Sequence, residues 1–360
     1  MDAGPVADYN QGVQFQARTL EAVDDDTVQQ LYRERGWTDG LPVVAPTPAR
    51  VEAMLAYGGF TPDQVIGVEL VKQRALTAEK VAINAVLAGC LPPDFPVVTA
   101  AIEAMCKEEF LVHGATASTG GCAVLLVVNG PIRRQLAMSS TFSVLAGPDR
   151  ASVCIGRAVR LVLRNLLEVR PGELDRSTLG HPGKLSWCLA EDEEGGAPWL
   201  PLGAERGIPD EVSSVTAFAA SAPRQIMNEW TTDPVELLTT VVAEIKATML
   251  HYSIWSGNYA VVLPPQIRAV LHEAGWSKAD VRRFVYEHAV VRRSDWERVG
   301  KAAVVNDRNR DFEYRALPSP DHLLVIAAGG EAGGFVAVIP PWLGPKSAAT
   351  TAAIGVCIDC

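Results

Sequence analysis

The sequence is poor in what several functional classes require. Its charge balance is acidic, −10 at neutral pH with a pI near 5.2. It therefore lacks the basic surplus that binding to nucleic acid or an anionic membrane demands. No apolar run reaches the roughly 18–20 residues that span a bilayer. Met1-Asp2-Ala3-Gly4-Pro5 leads into polar residues and not into a basic and then apolar leader. These absences point to a cytoplasmic protein of bacterial style, with neither nucleic acid nor membrane as partner. A dinucleotide motif is missing as well. In Gly329-Gly330-Glu331-Ala332-Gly333-Gly334, Glu331 occupies a position where G-x-G-x-x-G needs glycine, and the apolar 335–339 that follows reads as a strand instead of a helix. Apart from the C-terminal Cys357-Ile358-Asp359-Cys360, no short repeat of metal ligands occurs among the six histidines and seven cysteines, so spacing names no complete zinc or iron site.

What is present suits a large core. Apolar residues make up 48% and charged residues 21% of 360, a length that usually exceeds one core. Residues 1–30 read as a polar arm, residues 31–210 and 211–354 as two α/β lobes, and 355–360 as a tail. Leu41-Pro42-Val43-Val44 reads as a short strand, and Thr47-Pro48 as the cap and first residue of a helix ended by Gly58-Gly59. Thr77, Pro96, Gly147-Pro148-Asp149 and Asp233-Pro234-Val235-Glu236 open further helices. Apolar runs at 123–128, 185–190, 259–263, 323–328 and 335–339 read as buried strands. One passage recurs: 51–65 aligns without a gap on 267–281, matching Gly59 with Gly275 and Thr61 with Ser277, each expected to cap a following helix. Strands alternating with helices then predict an α/β fold of two related halves, each a mostly parallel sheet flanked by helices.

Four regions carry candidate chemistry. His113-Gly114-Ala115-Thr116-Ala117-Ser118-Thr119-Gly120-Gly121-Cys122, expected between two strands, sets a histidine and three hydroxyls around an anion or carbonyl pocket, with His113 moving protons. Asn129 adds an amide to the same rim. His181-Pro182-Gly183-Lys184 precedes a strand with Cys188 and the acids from Glu191 to Glu194. Here Lys184 favours a thiolate that the acids disfavour. His113, His181, Cys188 and Glu191 form a chemically reasonable zinc or iron set. Arg157, Arg160 and Arg164 share one helix face, which could steer a carboxylate or phosphate substrate and more often reads as a solvated stripe paired with acids. The fourth region is the C-terminal Cys357-Ile358-Asp359-Cys360, a redox pair, half of a metal site, or an inert end.

Several stretches resemble a family of uncharacterised bacterial proteins related to the UGSC-type (seleno)proteins. They are Asp39-Gly40-Leu41-Pro42-Val43-Val44, Val127-Val128-Asn129-Gly130-Pro131, Ile155-Gly156-Arg157-Ala158, Pro182-Gly183-Lys184 with Cys188, 275–283, and Ala327-Ala328-Gly329-Gly330. The resemblance implies a redox-type or carbonyl-handling enzyme on an α/β scaffold. It also implies a reactive sulfur or selenium after the last glycine-flanked strand. Here that place holds Glu331-Ala332-Gly333-Gly334, so Cys357 and Cys360 would have to replace it.

The expectation is a cysteine-dependent enzyme of small-molecule metabolism, with Cys188, Cys357 or Cys360 as the sulfur. Thr116, Ser118, Thr119, Asn129, Lys184 and Glu191 would bind substrate, and a reductant protein or a second copy of the chain would be the partner. The alternatives are a metal-dependent lyase or hydrolase and a non-catalytic subunit of a complex.

Overall fold

The computed structural model describes residues 13–252, 256–342 and 347–355. The chain begins with α1 (Asp25–Glu34) and α2 (Pro48–Gly58), then a hairpin of β1 (Val65–Glu69) and β2 (Arg74–Thr77). Helices α3 (Ala78–Ala88), α4 (Phe95–Cys106) and α5 (Val112–Ala117) lead into β3 (Ala123–Asn129). The short α6 (Ile132–Gln135) and the long α7 (Arg150–Leu166) precede β4 (Cys188–Ala190), α8 (Glu193–Gly196), α9 (Leu202–Glu205) and β5 (Ser214–Ala220). Then come β6 (Arg224–Met227), α10 (Pro234–Tyr252), β7 (Tyr259–Leu263), α11 (Pro265–Glu273) and α12 (Lys278–His288). A small ladder of β8 (Val290–Arg292) and β9 (Glu313–Arg315) is followed by β10 (Leu323–Ala327), β11 (Phe335–Ile339) and β12 (Thr350–Ala353).

Side chains alternate across each strand, and that alternation builds four layers. Leu125, Val127, Leu189 and Phe218 of one sheet pack against Ala260, Val262, Leu324, Ile326 and Ile339 of the other. Residues of opposite parity face outward. Leu126, Val128 and Ala217 meet α2, α3, α4 and α7, while Val261, Val325 and Val338 meet α10, α11 and α12. Every central strand is thus buried on both faces.

This layering corrects the expectation of mostly parallel sheets. The strand orders are β12-β5-β3-β4 and β10-β7-β11-β6, and in each only one pair, β3/β4 or β7/β10, is parallel. The other pairs are antiparallel. Unbroken apolar runs mark burial on both faces, which parallel sheets need but which two stacked antiparallel sheets produce equally. The sheets share one connectivity even so. In each, a parallel pair joined through helices is followed by an antiparallel strand, and the fourth strand arrives from beyond the other sheet. β6 follows β5 but completes the second sheet, and β12 follows β11 but completes the first. Both β5 and β12 therefore belong to the first sheet, although they fall within residues 211–354.

The aligned passages do not coincide with this correspondence, because α2 precedes its sheet and α11 follows β7. Gly59 and Gly275 do both end helices in the left-handed conformation, at φ 69° and 74°. Ser277 caps α12 in a box with Asp280, whereas Thr61 bonds Asp63 in a turn that enters β1. Residues 41–44 form no strand either; one amide, that of Val44, bonds Leu87 O at 3.3 Å. In the described part of the arm, from residue 13 on, the Gln16 and Ala17 amides bond the buried Glu79 carboxylate at 3.0 and 2.8 Å.

Helix α7 crosses the first sheet at Gly156. A Cβ there would stand 2.6 Å from the Trp187 amide nitrogen, a backbone atom that cannot swing aside. Gly156→Ala is expected to destabilise by ~1–2 kcal/mol in urea unfolding, since overpacking outweighs the helix-propensity gain. Unchanged or raised stability would mean that α7 rides freely on β4.

Candidate functional site

The structure distributes the sequence candidates over both ends of β3, about 20 Å apart at 3.3 Å per residue. Asn129 and Glu191 stand at its carboxyl end in a closed network. Glu191, 1% exposed, accepts from Asn129 Nδ2 at 2.7 Å, the Leu202 amide at 2.6 Å, Lys278 Nζ at 3.1 Å and the Ala327 amide at 3.3 Å. Lys278 also donates to Leu200 O and Glu205. This carboxylate ties β4, α9, β10 and α12 together, and its oxygens are committed to protein donors.

The 113–122 region is partly helical, against the expectation of a loop between strands. Leu111 adopts φ 57° and α5 follows, with the Thr116 hydroxyl donating back to Val112 O at 2.8 Å. His113 turns to Glu69, Nδ1 to Oε1 3.7 Å. Glu69 is itself held by the Val71 and Lys72 amides. Ser118 and Thr119 accept through their carbonyls from Ser177 Oγ and the Thr178 amide, pinning their loop to 177–184. His181 donates from Nε2 to Ala220 O at 3.3 Å while Nδ1 accepts from the Gly183 amide. Burial and the Lys184 charge hold its imidazole below the ordinary pKa, against the Ala220 bond.

The proposed metal set is consequently not assembled. His113 faces Glu69, His181 faces β5, Glu191 is saturated at the far end of β3, and Cys188 points at α7. Among the described residues no group of three or more His, Cys, Asp or Glu is placed to hold a metal ion. Cys188 is 3% exposed, and burial pushes its thiol pKa up, which disfavours a nucleophile. Cys357 and Cys360 lie outside the described residues.

What the fold does assemble is the arginine face of α7, and it is covered where the sequence suggested a solvated stripe. Asp39 grips Arg157 with two bonds of 2.8 Å. The segment 36–42 lies over the face, with Arg157 donating to Pro42 O at 2.9 Å and Arg164 to Gly36 O at 3.2 Å. Burial opposes ionisation of Asp39, and the bonds and charge of Arg157 outweigh it, holding this carboxyl below its usual range. Asp94, fully buried, grips Arg150 at 2.6 and 3.0 Å and accepts from the Leu91 amide.

Between Arg150 and Arg157 stands Cys154, a half-buried thiol. Burial holds its pKa above the ordinary thiol value, helped by Asp94, and the charges of Arg150 and Arg157 oppose that rise without cancelling it. The other described thiols have less to oppose burial. Burial pushes Cys106 and Cys122 up to about 12, and Cys90 is likewise pushed well up by burial. Sequence reasoning passed over Cys154, although its spacing of four from Arg150 and three from Arg157 places all three on one helix face. Asp39 and Asp94 lie at least 56 residues from their partners and left no local signal.

Beside this face a small cavity of about 30 Å³ is lined by Thr116, Cys122, Gly156, Arg160, Gly183 and Lys184, among others. It brings the predicted Thr116 and Lys184 together. Compared with known proteins, the chain matches no family model and no curated protein. The UGSC-type resemblance rests on the motifs quoted above.

Proposed function

We propose that the protein is a cysteine-dependent enzyme of small-molecule metabolism in which Cys154 supplies the thiol. The observation that supports this reading is the pair Asp94–Arg150 beside Cys154: a fully buried carboxylate fixes a guanidinium in two bonds, and the guanidinium charge opposes the burial that raises the pKa of this partly exposed cysteine. Thiolate is the reactive form, and a fixed cation raises its fraction. Leu41, Leu91 and Val153, on the segments around Cys154, are 44%, 50% and 39% exposed, which suits a substrate with an apolar part. The UGSC-type resemblance adds redox or carbonyl chemistry to the same proposal. His113, turned to Glu69, has no part in it.

The test is iodoacetamide labelling of the native full-length protein at pH 7.5, with the modified cysteine identified by peptide mass. The variants are Cys154→Ser, Arg150→Gln and the tail pair Cys357→Ser/Cys360→Ser. Cys154 is expected to label ahead of Cys90, Cys106, Cys122 and Cys188. Arg150→Gln should slow it roughly threefold to tenfold, since one pKa unit is a tenfold change in thiolate. Labelling of Cys154 no faster than of the buried thiols, or no effect of Arg150→Gln, would sink the assignment. Full reactivity confined to Cys357 and Cys360 would transfer it to the tail.

A further inference from the structure

The cavity beside α7 carries more positive charge than its one carboxylate can balance. Arg160 and Lys184 line it, and Asp175 is the acid paired with both. Asp175, 4% exposed, is already engaged by Lys184 Nζ at 2.7 Å, Ser177 Oγ at 2.5 Å and the Ser177 amide at 3.1 Å. Arg160 is left with the same carboxylate at 3.6 Å, outside hydrogen-bond reach. Its side chain is 13% exposed, and a guanidinium has five donors to satisfy. Charges so placed are normally paired.

The remaining walls leave that charge uncovered. The Thr116 hydroxyl donates to Val112 O, and the Cys122 thiol turns to Ala115 O at 3.0 Å. Gly156 and Gly183 contribute no side chain, and the other seven lining residues are alanine, valine or leucine. Two cations against one carboxylate leave a single positive charge. One water needs roughly 10–15 Å³, so about 30 Å³ admits a monatomic anion or the oxygens of a carboxylate, but is tight for a tetrahedral dianion.

We infer that this cavity is a binding site for a small monovalent anion, held between Arg160 and Lys184. The anion is either a free inorganic ion or the carboxylate end of a small molecule. It accepts charge-assisted bonds from the Arg160 guanidinium and the Lys184 ammonium and neutralises the surplus charge. Arg160 lies six residues beyond Cys154, about 9 Å along the helix axis. The site stands on its own geometry and does not depend on the thiol.

The experiment uses the full chain, freed of chloride by exchange into HEPES, whose bulky sulfonate also keeps the ionic strength constant. Chloride, formate, acetate and sulfate are titrated separately while Tm is followed, since a ligand bound only by the folded state raises Tm in a saturable way. Chloride, formate or acetate is expected to give a saturable rise and sulfate none. Arg160→Gln and Lys184→Met should each abolish that dependence, whatever their own Tm. If formate and acetate saturate at lower concentration than chloride, the ligand is a carboxylate; if chloride alone saturates, it is inorganic. Bromide soaked into crystals of the wild-type protein should appear between Arg160 and Lys184, a readout that needs no variant to fold. An anion response that is unsaturable or unchanged in both variants, or bromide absent from the cavity, would overturn the assignment.

Discussion

Lys278→Met is expected to destabilise the fold by about 3–5 kcal/mol, the scale for stripping one partner from a buried ion pair. Lys278 and Glu191 are 4% and 1% exposed, so neither charge recovers its hydration when the other is removed. Without the ammonium, Glu191 keeps neutral donors only: Asn129 Nδ2 and the Leu202 and Ala327 amides. Glu205 suffers less, because Arg282 holds it with bonds of 2.7 and 2.8 Å. The double variant Glu191→Gln/Lys278→Met should recover most of the loss, since no uncompensated charge remains in the interior. Urea unfolding followed by far-UV circular dichroism measures both. A loss below about 1 kcal/mol for the single variant would mean that water reaches the pair. Because this network joins β4 and α9 to β10 and α12, the single variant should also loosen one sheet from the other, visible as faster amide exchange at Ala327 than at Val261.

The elements that could be read in advance were those with local signals. Thr47, Asp149 and Ser277 cap their helices by accepting backbone amides three residues on, and each shows in the sequence as a hydroxyl or carboxylate before an apolar periodicity. The strands 259–263 and 335–339 appear where their apolar runs predicted. Strand direction was not legible, because Val261 and Val338 are buried alike whether their strands run with or against each other. The exchange of β6 and β12 between sheets is a long-range pairing with no trace in either short strand.

The site was legible in fragments. Thr116 and Lys184 meet in one cavity, but His113 and Glu191 do not join them, since nearness in sequence to β3 says nothing about which end a loop serves. Cys188 drew attention through its acidic neighbours, yet the pleat turns it inward to α7 while Leu189 faces the second sheet. Cys154 carried the better chemistry, and its value depended on Asp94, a residue the sequence places 60 positions away.

Raising the pH should unfold the protein more steeply than surface titration alone. Burial pushes Cys106 and Cys122 up to about 12, with Glu69 adding to the first and Lys184 opposing the second. An unfolded thiol titrates near 8.5. Each group is therefore bound to its proton more tightly in the folded state, and its contribution is intact below pH 8.5. Above that the unfolded chain ionises first, and the contribution falls until the folded pKa is reached. Between pH 8.5 and 10.5 the loss is ~2 kcal/mol for each thiol, at 1.36 kcal/mol per pKa unit. Cys90 and Cys188, also raised by burial, act in the same direction. Urea unfolding at intervals across that range, with reductant present, should give a falling stability whose slope is smaller in Cys106→Ala/Cys122→Ala. The slope is the readout, because the cavities left by alanine lower stability equally at every pH. A wild-type slope retained in the double variant would show that these thiols ionise in the folded protein as readily as in the unfolded chain, and the interior around β1 and α5 would then have to be open to water.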